Sequence, residues 1–81
     1  MINLTTIGKV THYYDKLGVA IVKVAKTIKV GDKIKFGEEG FEQTVESMQF
    51  DHKAVSNAKK GEEVGIKVDK KAHEGTKVFS A

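Results

Sequence analysis

Nine residues constrain this chain most: Ile28-Lys29-Val30-Gly31-Asp32-Lys33-Ile34-Lys35-Phe36. Ile28, Val30, Ile34 and Phe36 are apolar, and lysines stand between them. A period of two sends one set of side chains into a core and the other into water, the signature of a half-buried strand. Gly31-Asp32 interrupts the pattern where the chain must turn, which predicts a tight hairpin. Other segments follow the same rule. Ile7–Tyr14 is rich in β-branched and aromatic residues, with Gly8 marking a bulge or a close backbone approach. Asp15-Lys16-Leu17-Gly18 is a turn. Val19–Val24 is apolar on both faces over most of its length, so a central, buried strand is predicted there.

The second half is less regular. Gly37-Glu38-Glu39-Gly40 is a loop. In Phe41–Phe50 strict alternation puts Thr44, Glu46, Met48 and Phe50 on one face; a bulge near Ser47 instead joins Val45, Met48 and Phe50. Asp51–Lys60 has too few apolar residues for an amphipathic helix and reads as a loop with one helical turn. Glu62–Val68 is a strand with Val64, Ile66 and Val68 inward, and Thr76–Phe79 closes the chain after a polar loop. Phe36, Phe50 and Phe79 are assigned to the core. Tyr13 and Tyr14, being adjacent on a strand, point to opposite faces.

Short strands with turns about ten residues apart indicate an all-β sandwich or barrel. A closed barrel leaves no free edge, an advantage when every element is β. The 81 residues suffice for one domain, 1–81, with 1–6 as a loose lead-in. No cysteine is present, which excludes disulfides and thiolate metal sites and fits the cytoplasm. No apolar run approaches the ~20 residues of a membrane span, and the N-terminus lacks the features of a signal peptide. A cytoplasmic protein that does not engage membranes is expected.

All 14 basic residues are lysine, against 11 carboxylates, for a net charge of +3. Without arginine the chain lacks the side chain best suited to bidentate phosphate or guanine recognition. Lysines interspersed with acids read first as a solubilising surface.

Four short motifs occur in order: Gly8-x-Val10; Val30-Gly31-Asp32-x-Ile34; Val45-x-Ser47-Met48-Gln49; and Ala58-x-x-Gly61-x-x-Val64-Gly65-Ile66. Together they resemble the second domain of the translation-factor GTPases, such as elongation factor Tu, over nearly the whole chain. More narrowly, Glu46-Ser47-Met48-Gln49, then Asp51-His52, then Ala58–Lys67 resembles stand-alone translation elongation factor-like proteins and the C-terminal barrel of collagenase-like peptidases. The resemblance implies a closed six-stranded Greek-key β-barrel of the translation-factor domain 2 type. It does not bring catalysis with it. The chain has no Gly-x-x-x-x-Gly-Lys-Ser/Thr loop and hence no nucleotide cofactor is expected, and the peptidase domain is absent.

The resemblance also places the pocket that meets the aminoacylated tRNA end in elongation factor Tu near Gln49, His52 and Glu63. A carboxylate at Glu63 would repel a phosphate there, and a histidine is mostly neutral at pH 7. His12, His52 and His73 lack metal-ligand spacing, so no metal is expected. Asp51, His52 and Ser56 lie too close in sequence for triad geometry, and no oxyanion site accompanies them. The reading is therefore a non-catalytic binding module without cofactor, docking on a protein or ribonucleoprotein partner. The alternatives are an RNA/tRNA-binding barrel or a trans-acting accessory subunit of a collagenase-like peptidase. The expected contact residues are Gln49, Asp51, His52, Lys53, Lys59, Lys60 and Glu63, around the loop that begins at Asp51, because loops on a rigid scaffold carry function. Tyr13 joins them as a side chain able to stack a base beside Lys9 and Lys16.

Overall fold

Strand-forming segments account for every regular element in the computed structural model of the protein, which describes residues 5–38, 40–51 and 53–81. They are β1 (Thr6–Tyr14), β2 (Val19–Val24), β3 (Ile28–Lys29), β4 (Lys33–Phe36) and β5 (Phe41–Thr44). β6 (Met48–Phe50), β7 (Lys53–Val55), β8 (Asn57–Ala58), β9 (Glu63–Lys67) and β10 (Lys77–Ser80) follow. Eight of them form one antiparallel sheet in the order β5-β4-β10-β1-β2-β9-β6-β7, and β3 pairs with β8 alone. The fold is all-β and barrel-like, but the hydrogen-bonded sheet is open and is not the closed six-stranded barrel expected.

The reason lies in the fourth predicted strand. It breaks after Thr44, and its halves join opposite ends of the sheet: β5 pairs with β4 while β6 pairs with β9. The intervening Val45 is fully buried and exchanges backbone hydrogen bonds with the turn at 31–32, Gly31 N–H to Val45 O and Val45 N–H to Asp32 O, both 2.8 Å. A continuous chain therefore bridges the two sheet ends where a ladder would otherwise run. Gln43 fastens the same seam. It is the one buried polar side chain among the described residues; its Nε2 donates to Lys67 O at 2.8 Å, and its Oε1 accepts from Asp69 N–H at 2.9 Å.

The core fills the inside of this curl. Val10, Val22, Val64 and Ile66 come from the three central strands, joined by Ile28, Ile34, Phe36, Met48 and Val78. Gly8 sits where β1 lies tight on β2: a Cβ there would fall 2.6 Å from Val22 Cγ1 and 2.9 Å from Lys23 O.

Three further expectations change. Ile28–Phe36 is not a hairpin, because β3 pairs with β8 and β4 with β10 and β5. The turn itself is as read: Gly31 has φ 99°, and Asp32 accepts from Lys29 N–H through its carboxylate at 2.9 Å. Asp51–Lys60 contains two short strands in place of a helical turn. Phe50 stands 39 % exposed, outside the core, because it ends β6 opposite Lys53 at the mouth of a hairpin.

Candidate binding surface

A bulge decides which side chains reach the outer face of the central strands. The β1–β2 register shifts between Val10 and His12, leaving Thr11 without a cross-strand partner. Val10 is buried, and without the bulge His12 and Tyr14 would follow it inward. The extra residue reverses the alternation. Tyr13 turns in and packs against the core, while His12 and Tyr14 emerge together with their rings 4.6 Å apart. His12 also pairs with Glu74 at 3.1 Å on the exposed surface.

Tyr14 forms one wall of a shallow depression of about 320 Å³ over β2, β9 and β6. Val19, Ile21 and Gly65 make its floor, and Leu17 from the β1–β2 turn makes a second wall. Gly65 lies opposite both Ile21 and Gln49 in the sheet, so the absence of a side chain there opens the hollow. A Cβ at Gly65 would come within 3.1 Å of Val19 Cγ1. Leu17 is 68 % and Tyr14 45 % exposed, an apolar pair left in water at the edge of this floor.

The rim is polar and acidic, from Gln49, Asp51 and Glu63. Glu63 Oε2 lies 3.3 Å from the hydroxyl of bulged Thr11, which can donate either to it or to Ile21 O at the same distance. Asp51 adopts φ 52° at the tip of the β6–β7 hairpin, whose closing pair is Phe50 and Lys53. Left-handed backbone in a short hairpin loop is where Asp is tolerated, so this conformation is explained by the turn.

The expected contact residues thus divide. Gln49 of β6 and Asp51, just after its end, share the depression with Glu63 of β9. Lys60 lines a separate groove, and Lys53 and Lys59 line neither. Tyr13 packs inward, and its neighbour Tyr14 occupies the exposed place. His52 lies outside the described residues. Sequence reasoning missed Leu17, although an apolar residue in the turn Asp15-Lys16-Leu17-Gly18 was a visible signal. Among the described residues no group of three or more His, Asp and Glu side chains is placed to hold a metal ion, and no helix is long and apolar enough to cross a membrane. The arrangement suits contact with a partner: an apolar floor, an exposed aromatic and a rim of acceptors.

Comparison with known proteins shows which proteins share this fold and sequence. The fold coincides with the C-terminal domain of a Geobacillus thermoleovorans protein described as a U32 peptidase. That crystal structure superimposes with a TM-score of 0.87 at 22 % identity, covering 94 % of this chain and 91 % of that one. Its selenomethionine variant gives 0.88 at 21 % identity, covering 94 % and 99 %. In sequence, the chain is 41 % identical over 76 residues to an uncharacterized protease of Methanocaldococcus jannaschii, a match to 90 % of this chain. The chain spans 19 % of that relative's length. No protein-family profile matches it. The curated relative and both solved structures lie on the peptidase side of the resemblance seen in the sequence, not the translation-factor side.

Proposed function

We propose that this chain is a non-catalytic accessory barrel that docks on a protein of the U32, collagenase-like peptidase type, through the depression walled by Tyr14 and Leu17. The observation that carries the reading is the pairing of a 41 % identical match to a protease with a fold shared by an entire U32 peptidase C-terminal domain. The depression supports it physically. Exposed Leu17 and Tyr14 gain by leaving water, and the carboxylates of Asp51 and Glu63 suit a partner surface carrying lysine or arginine. The same carboxylates disfavour a phosphate in that hollow, which weighs against contact with a tRNA end there.

The test is calorimetric titration of the chain into a U32-type peptidase from which its own C-terminal barrel has been removed. Saturable one-to-one binding is expected. Leu17→Lys should weaken it by roughly tenfold, the worth of about 1.4 kcal/mol of lost apolar burial. Absence of heat at two well-separated temperatures, or unchanged affinity in Leu17→Lys and Tyr14→Ala, would refute the proposal.

A further inference from the structure

A second outer surface has the opposite character. On β10, β1 and β2 the side chains of Lys77, Lys9 and Lys23 are direct cross-strand neighbours, because Lys9 pairs with Lys77 on one side and with Lys23 on the other. All three are exposed and alternate with buried core residues, so they stand on one face. A fourth cation joins them: Gly61 N–H bonds to Val24 O at 2.8 Å and brings Lys60 against the end of β2. The methylene stems of the four lysines line an apolar groove of about 350 Å³, with Gly8 in its lining and the ammonium groups outside it. Like charges placed directly opposite in a sheet repel. Glu63, opposite Lys23 on β9, offsets that repulsion at one end of the row only, and no salt bridge to Lys9 or Lys77 is formed among the described residues.

We propose that this lysine row binds the phosphodiester backbone of a nucleic-acid strand without reading its sequence. Adjacent strands lie about 4.8 Å apart, so the row presents closely spaced cations on flexible stems. A nucleic-acid strand carries a charge on every unit, whereas an extended peptide shows one face only every second residue. The groove lining contains no aromatic ring to stack a base and no arginine to fork onto one, so contact is confined to phosphates. This surface is separate from the Leu17–Tyr14 depression, and its test is independent of the docking reading.

The test is fluorescence anisotropy of labelled 12-mers, oligo(dT) and oligo(rU), titrated with the full chain. Each neutralised phosphate of a single strand contributes about −0.7 to the slope of log K against log salt. Three to four lysines predict a slope of about −2 to −3, a roughly 20- to 50-fold loss between 50 and 200 mM salt. The triple variant Lys9→Gln/Lys23→Gln/Lys77→Gln should lose binding at least tenfold. The control Lys16→Gln/Lys70→Gln/Lys71→Gln, with the same change in net charge, should keep it within twofold. A thermal melt guards against misfolding; relief of repulsion should leave the triple variant at least as stable as the control. Equal binding of the two sugars is expected. The proposal is overturned by no binding at 50 mM salt or by a triple variant that binds like the control. It is equally overturned by a tenfold preference for one sugar, or by polyglutamate displacing the oligonucleotide as well as unlabelled oligonucleotide does.

Discussion

Gln43 is where the open sheet is most exposed to a single change. Its side chain is 7 % exposed and ties β5, an end strand of the sheet, to the chain leaving β9 near the other end. Replacing it with leucine keeps the volume and removes both hydrogen bonds, to Lys67 O and from Asp69 N–H. Each is worth about 1 kcal/mol, and leaving the part-buried partners unsatisfied adds up to about 2 kcal/mol. The expected loss is about 2–4 kcal/mol, a large part of the ~5–15 kcal/mol a domain possesses. In a chain of this size it lowers Tm by roughly 10–25 °C.

Gln43→Glu refines the test, since protonation decides whether it can replace the amide. When protonated, the carboxyl donates to Lys67 O and accepts from Asp69 N–H, reproducing both bonds. When ionised, it turns a bare oxygen toward the Lys67 carbonyl in a buried site. The folded state therefore raises this group's pKa above its unfolded value near 4.3. Its stabilising contribution is present below the unfolded pKa and is lost as pH rises through the folded one. Urea unfolding followed by circular dichroism should find Gln43→Glu close to the parent near pH 4 and about 2–4 kcal/mol weaker at pH 7, with the parent's own pH dependence subtracted. If Gln43→Leu lies within about 0.5 kcal/mol of the parent, below the ordinary worth of one hydrogen bond, the seam is not held by this amide.

Other changes probe the rest of the frame. Gly8→Ala should cost about 1–3 kcal/mol by overpacking, because its Cβ meets the Lys23 carbonyl oxygen at 2.9 Å as well as a side chain; an unchanged urea midpoint would refute the tight β1–β2 approach. At Asp51, with φ 52°, substitution by glycine should be tolerated, while Asp51→Val should lose about 1–2 kcal/mol in the same assay. Ile66→Ala removes a fully buried side chain from the central strand β9 and should cost about 2–5 kcal/mol, which a fall in Tm would reveal.

Periodicity located strands well and their partners poorly. Val19–Val24 is a strand with the bounds read from a run that is apolar over most of its length. The alternation around Gly31-Asp32 identified Ile28, Ile34 and Phe36, all buried, but Val30 of the same set is 42 % exposed, and a pattern of faces carries no information about pairing: β3 and β4 join different sheets. β7 and β8 escaped notice because strands of three and two residues show no period at all. The bulge at Thr11 was equally silent, since Ile7–Tyr14 reads as one continuous β run; only its register reveals that Tyr14, and not Tyr13, faces out. Gln49 and Glu63, which the resemblance singles out, and Asp51, where the expected contact loop begins, line one hollow. The lysine row was invisible for a related reason. Lys9, Lys23 and Lys77 each look like an ordinary outward residue, and only cross-strand pairing aligns them.

Both surfaces lie mainly on the sheet and less on its loops. The loop after Asp51 seemed the natural contact region, yet the depression draws its floor from β2 and β9 and the lysines stand on β10, β1 and β2. The backbone of paired strands is already ordered, so contact with it costs less conformational freedom than contact that must organise a loop. The two surfaces meet along a single row. Lys77, Lys9 and Lys23 continue into Glu63, the cross-strand partner of Lys23, whose carboxylate lies against the Thr11 hydroxyl. The change from basic to acidic thus occurs across one strand spacing of about 4.8 Å. On the two proposals, repulsion at Glu63 would stop a polyanion following the row, and Lys23 would stop a basic partner in the depression from the other side. One sheet face can in this way hold two unlike partners side by side while keeping each off the other's ground.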